Sequence, residues 1–307
     1  MKDKKKIIVI VLVLVCTSVV SWLFVGRQYY QNRSLTEKNN KISDDINATQ
    51  IVKDQTHKNQ ENEDKTKNTD AITLIDDIKM KHNDKGIPVL MYHAIGYEKG
   101  NTVRVPKENF KNQMKYLKDN GYVTLTLDEA YDFFTKNKPV PEKSVVLTFD
   151  DGYVDNYVDA LPILKEFGFK ATIFVITGAV DKSKNYMNVE QLKEMEASGM
   201  DIQGHTVHHK NLKELSYAIQ LQTLKESKDF LEKSLNKRIK YFAYPYGEYS
   251  KETLKAVKEA GYTMAFATAG RWSDKADGIL TLDRVFISGA ANLDVFIDRI
   301  SNSNYKF

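Results

Sequence analysis

A chain of 307 residues with 42% hydrophobic content is long enough to bury one large core or two ordinary ones. Its formal charge is +4, and Lys2, Lys4, Lys5 and Lys6 set against Asp3 supply +3 of that, so the remainder has no basic surplus with which to grip nucleic acid. The one cysteine, Cys16, excludes an internal disulfide framework and a multi-cysteine zinc site.

Residues 1–6 form a basic tail. Residues 7–25 follow as an almost uniformly apolar run, which at about 1.5 Å per residue matches a ~30 Å hydrocarbon core. With the lysines retained inside, this reads as a single-pass anchor in the cell membrane that places the rest of the chain outside. The rival reading, a signal peptide whose cleavage releases the protein, lacks a clear small-x-small site after the run. Residues 26–85 are rich in Asn, Lys, Asp, Gln and Thr and lack the apolar residues to build a core, which predicts a flexible extracellular linker, with a helical stalk as the alternative.

From 86 to 307 the texture changes to alternating strand and helix signals. Strands are expected at 88–92, 122–126, 144–149, 171–176, 201–204, 241–244, 264–268 and near 280–288. Helical patterns fill the gaps at 110–120, 128–136, 157–167, 189–198, 217–235 and 251–260, several ending in glycine at Gly121, Gly168, Gly199 and Gly261. Seven or eight βα units in one block of ~220 residues imply an α/β fold of the TIM-like barrel type.

The apolar run Val145-Val146-Leu147-Thr148-Phe149 ends in Asp150-Asp151-Gly152. A buried strand would deliver both acids to its C-terminal mouth, where parallel α/β folds keep their chemistry. Adjacent carboxylates repel and lose hydration, so they require a compensating cation; the bland reading is a turn after a strand. Four histidines also follow expected strands: His93 after the first, and His205, His208 and His209 after the fifth. His205 and His209 share a face if the segment turns helically, and with one carboxylate they make a two-His, one-Asp metal set, the favoured pairing; spacing alone does not exclude His205 with His208.

This combination resembles the NodB-type polysaccharide deacetylases, carbohydrate esterase family 4. Thr148-Phe149-Asp150-Asp151-Gly152 is similar to that family's first motif and His205-Thr206-Val207-His208-His209 to its second. The resemblance, covering roughly 87–288, implies a distorted NodB-type barrel in which Asp150 is the catalytic base and Asp151, His205 and His209 hold a divalent metal, usually Zn²⁺. His208 is then a supporting residue. Tyr244-Pro245-Tyr246-Gly247 looks like the third motif, which implies that the Tyr246 backbone N–H helps hold the oxyanion, with Tyr244 and Pro245 supporting it.

Two departures stand out. The arginine that usually opens the third motif is replaced by Phe242-Ala243, and the late Leu-x-Leu-His acid segment reads Leu280-Thr281-Leu282-Asp283. Pro88-Val89-Leu90-Met91-Tyr92-His93 instead resembles the opening strand of the branch containing the poly-N-acetylglucosamine deacetylases, which implies His93 as the acid. Arg284 is the expected substitute for the missing arginine, and Trp272 or another aromatic is expected to line the sugar pocket. The implied reaction removes N-acetyl groups from N-acetylglucosamine residues of poly-N-acetylglucosamine or peptidoglycan. The alternatives are a related hydrolase of an O-acetyl ester or a non-sugar amide, and a catalytically silent carbohydrate-binding module. The implied partners are a polysaccharide and, through residues 7–25, the membrane, with the protein taken as a monomer.

Overall fold

The structure, a computed structural model, describes residues 78–306. They belong to one compact unit, Thr73–Phe307. The expected basic tail, anchor and nearly all of the linker lie outside the described residues, and among those described no helix is long and apolar enough to cross a membrane.

Eight strands make the principal sheet: β1 Val89–Tyr92, β2 Val123–Thr124, β3 Ser144–Phe149, β4 Thr172–Val175, β5 Asp201–Gly204, β6 Tyr241–Ala243, β7 Met264–Phe266 and β8 Val285–Phe286. Between and after them run α1 Lys107–Asp119, α2 Leu127–Lys136, α3 Leu161–Phe167, α4 Val189–Ala197, α5 Tyr217–Leu235, α6 Lys251–Glu259 and α7 Leu293–Ser301. The order across the sheet is β7-β6-β5-β4-β3-β1-β8, every pairing is parallel, and β2 pairs with the first residues of β3. Parallel strands need crossover helices, and these residues supply them: Thr126, Asn188 and Ser250 each accept a backbone N–H in a capping box ahead of α2, α4 and α6.

The sheet is curled. Leu282 N donates to Ala265 O (3.1 Å) and Ala267 N to Leu282 O (2.8 Å), while Val285, three residues on, pairs with Leu90 of β1. One stretch therefore touches β7 at one end of the sheet and β1 near the other. The expected barrel is realised as a curled parallel half-barrel with an irregular last side in place of eight equal βα units. The expected strand at 280–288 is broken because Arg284 N donates to the Asp283 side chain (2.7 Å) and so is withdrawn from the ladder.

Strand alternation sorts the core into two layers. Val89, Val146, Phe174, Tyr241, Ala243, Met264 and Phe266 point inside the curl, where the buried face of α2 (Leu127, Ala130, Phe133, Phe134) joins them. Leu90, Val145, Leu147, Ile173, Val175, Phe242 and Ala265 point outward into the larger core beneath the other helices. The helix expected at 157–167 opens as a π-helical turn, Asn156–Ala160, before α3. Sequence reading did not anticipate α7, nor the two-residue ladders joining Met80–Lys81 to Val140–Pro141 and Ala94–Ile95 to Arg104–Val105.

Candidate active site

Inward-facing positions on β3 run Val146, Thr148, Asp150, so strand parity sends the Asp150 carboxylate into the curl. Arg284 shares the inward face of the last side with Leu282 and meets it there. Its Nη1 donates to Asp150 Oδ1 and its Nη2 to Asp150 Oδ2, both at 2.7 Å, while Nη1 also reaches Thr148 Oγ1 (3.2 Å) and Nε reaches Ala267 O (3.1 Å). Arg284 is fully buried and Asp150 nearly so. Burial alone would raise the Asp150 carboxyl, but Arg284 first, with His205 and His93 behind it, holds it far below its ordinary range.

Asp151 has the opposite parity and would face the outer core if the strand continued. It does not continue: Asp151 takes a left-handed φ of 74°, which swings its side chain to the mouth of the sheet. His205 and His209 meet it there. Their Nε2 atoms stand 3.5 and 3.4 Å from Asp151 Oδ1, and the potential ligand atoms of the three residues lie within 4.8 Å of one another. His205 is oriented by its other nitrogen, since Nδ1 lies 2.7 Å from Ala243 O; a carbonyl only accepts, so Nδ1 carries the proton and Nε2 presents its lone pair.

The two histidines do not come together on a helix. Thr206 and His209 both adopt left-handed φ (65° and 52°), and His209 N donates to Thr206 Oγ1 (3.0 Å), folding the segment back in a tight turn. Thr177 N and Gly178 N hold this turn by donating to Thr206 O (3.1 Å) and Val207 O (2.8 Å). His208 lies over Gly178, where a Cβ would collide with Val207 O and crowd His208 Nδ1. His208 itself is exposed, and it is His209 whose ring nitrogen joins Asp151 and His205.

These three donors fit a cation. Asp150 is neutralised by Arg284, whereas Asp151 Oδ1 is buried without a hydrogen-bond partner and faces two imidazole nitrogens. Three electron-pair donors aimed at one another repel unless a positive charge lies between them. Burial opposes the protonated form of every imidazole here. Asp151 and Asp150 nevertheless lift His205 above its ordinary value, whereas burial prevails at His209 and His93 and lowers both.

His93 follows β1 at the same mouth, close enough to feel the charges of Asp150 and Asp151. Its Nδ1 is buried and unpartnered, and its carbonyl accepts from Asn156 Nδ2 (2.8 Å). Tyr246 adopts φ 60° after Pro245, and its exposed ring sits 4.7 Å from that of His209. Tyr244 is buried beneath it with its hydroxyl on Leu280 O (2.9 Å). Asp151, Thr206, His209 and Tyr246 are four of the seven described non-glycine residues with positive φ, so backbone strain concentrates at this mouth.

Residues 137–265 match the sequence profile of the polysaccharide deacetylase family. The Bacillus subtilis protein YxkH is 42% identical over 202 residues, covering 66% of this chain and 71% of that one. The chain belongs to the polysaccharide deacetylase family. A Staphylococcus aureus poly-beta-1,6-N-acetyl-D-glucosamine N-deacetylase is 32% identical to this deacetylase over 201 residues, covering 61% of this chain and 69% of the relative. Among solved structures, the Streptococcus pyogenes deacetylase PplD in complex with acetate superposes with a TM-score of 0.68 at 35% identity, covering 71% of this chain and 99% of that one.

Asp150, Asp151, His205, His209 and the Tyr244-Pro245-Tyr246 turn lie inside the matched stretch; His93 and Arg284 flank it. The structure gathers all of these but does not bring Trp272 to them. Trp272 Nε1 donates to Arg299 O (2.7 Å), and the ring lines a cavity of about 600 Å³ with Asp84, Lys85 and Gly86, which lead into the opposite end of β1. Sequence reasoning missed Asp155 and Asn156, which hold the chain around His93: Asp155 accepts from Ile95 N (3.0 Å) and Arg104 Nη1 (3.3 Å), and Asn156 from its amide reaches His93 O. The available signal was a polar pair placed just beyond Asp150-Asp151-Gly152.

Proposed function

We propose that this deacetylase hydrolyses the N-acetyl groups of N-acetylglucosamine residues in a surface polysaccharide, releasing acetate in a metal-dependent reaction. The observation that carries this reading is the Asp151, His205 and His209 cluster set beside an Asp150 held in place by Arg284. Asp151, His205 and His209 would hold a divalent ion, with Zn²⁺ suited to the mixed imidazole and carboxylate donors. Such an ion supplies Lewis acidity toward the acetyl carbonyl and lowers the pKa of water.

Asp150 takes the proton of the attacking water. Arg284 uses one lone pair on each carboxylate oxygen and leaves the others free for it. A carboxylate so paired is a weak base, which suits an acidified water and would not suit bulk water. The Tyr246 N–H, presented by the proline turn, supports the developing oxyanion. His93 protonates the departing amine; its burial disfavours the charged form, and the Asp150 and Asp151 carboxylates pull the other way.

Poly-β-1,6-N-acetylglucosamine is the favoured polymer, since a relative named for that activity is 32% identical, and peptidoglycan is the second. Residues 7–25 would anchor the enzyme in the cell membrane with its catalytic domain outside. The test is acetate release by the full-length chain from poly-β-1,6-N-acetylglucosamine, peptidoglycan fragments, chitin oligomers and acetylated xylan, with and without chelator. Release from xylan alone transfers the assignment to ester hydrolysis. No release from any substrate by protein supplied with zinc makes it a binding module.

A further inference from the structure

The Arg284 to Asp150 pair depends on a residue that sits just before β8, where the sheet is least regular, so something must fix the direction of the guanidinium. We propose that Asp283 is the positioning residue that aims Arg284 at Asp150; the proposal rests on Asp150 being the catalytic base. Asp283 is nearly fully buried. Its Oδ1 accepts the backbone N–H groups of Ala269, Gly270 (2.9 Å) and Arg284 itself (2.7 Å), and its Oδ2 accepts that of Arg271 (2.9 Å). One carboxylate thus ties the loop after β7 to the backbone of the residue that carries the guanidinium.

The same loop also holds the other end of that residue. Ala267 O accepts from Arg284 Nε (3.1 Å), and Ala267 N donates to Leu282 O (2.8 Å). Ser273 Oγ donates to Asp283 O, which fixes Asp283 from behind. Arg284 is therefore clamped at its amide and at its Nε, leaving its two terminal nitrogens to meet both oxygens of Asp150.

Converging N–H groups make a concavity for an anion, and a carboxylate fills it where an amide cannot. An asparagine has one acceptor oxygen, and its NH₂ would oppose one of the four donors. The Arg271 guanidinium, 3.7 Å from Oδ2 with its side chain 72% exposed, adds little to this clamp. Asp283 occupies the position at which the resemblance leads one to expect a proton-donating histidine. Its carboxylate is committed to backbone donors instead, so it does not inherit that task.

The test uses the full-length chain with acetate release from poly-β-1,6-N-acetylglucosamine oligomers. Asp283→Asn is expected to lower kcat by about 10- to 100-fold, the scale of an ångström-sized misplacement, with KM and bound metal unchanged. In an Arg284→Gln background the same change is expected to cost nothing further, because both act through one contact. An unchanged kcat in Asp283→Asn, or losses that multiply in the double variant, overturns the proposal. Should Asp283→Asn melt below the assay temperature, Ser273→Ala decides: a kcat loss that vanishes in the Arg284→Gln background supports the aiming role, and an unchanged kcat overturns it. Asp150→Asn, run alongside, separates the two readings. Full activity there sinks the base assignment, whereas an inactive Asp150→Asn beside an unaffected Asp283→Asn sinks only the aiming role.

Discussion

Alanine at Asp151 or His205 removes one of three donor atoms that face one another, so bound zinc and acetate release are expected to fall together; metal analysis of the purified variants beside the activity assay checks this. Asp150→Asn should keep its metal and lose turnover by about 10²- to 10⁴-fold, the usual contribution of a general base. It should also melt earlier, because the amide leaves the buried Arg284 guanidinium without its counter-charge, a change worth roughly 3–5 kcal/mol in denaturant unfolding. His93→Ala is expected to slow deacetylation about 10²-fold with metal retained; loss of metal in that variant would make His93 a ligand instead. At this scale the sequence showed which acids and histidines stand at strand ends, since those are local facts. Spacing alone did not divide His208 from His209, because the choice depends on a turn closed by Thr206 Oγ1 and braced by Gly178 in the loop after the neighbouring strand β4.

Among the elements, β3 and β5 begin and end where the apolar and β-branched runs predict, and α5 spans its expected length, because their signals are short-range. The last helix had a legible signal that went unread, with Phe296 and Ile300 buried four residues apart. The Met80–Lys81 ladder was not legible at all: Lys81 is a charged residue that tertiary packing buries, with its Nζ 5.4 Å from the Trp272 ring. Burial, against the opposing pull of Glu142, lowers its pKa to about 8 from 10.5. Between those values the unfolded chain holds the extra proton, so stability should rise as pH climbs from 8 to 10.5, while below 8 the buried charge is a constant penalty. At ~1.4 kcal/mol per unit the span is worth about 3 kcal/mol. Lys81→Met should therefore flatten this rise and stabilise the protein at neutral pH, as read from urea midpoints across that range.

For the whole molecule, a metal held by the cluster at the sheet's mouth would link metal binding to folding. Chelator-treated protein should melt lower than metal-loaded protein, and zinc at about 100 times its Kd should restore ~2.7 kcal/mol; Asp151→Ala should show no such response. Calorimetry of both proteins with and without added zinc measures it. A loss of metal that leaves the melting temperature unchanged would mean that the ion binds outside the folded cluster.

The sequence by itself determined the parallel α/β character, the strands that carry the site and the residues able to hold a metal, because alternation, capping and turn chemistry act over a few neighbouring residues. Only the tertiary structure decided what surrounds them. Arg284 meets Asp150 across 134 residues, Asp283 is buried in a ring of backbone donors, and Trp272 turns toward another cavity. Each of these follows from the curl that brings the last side of the sheet between β7 and β1. That curl is a property of the whole sheet, set by strand twist and helix packing summed over every βα unit, and no short window of residues records it.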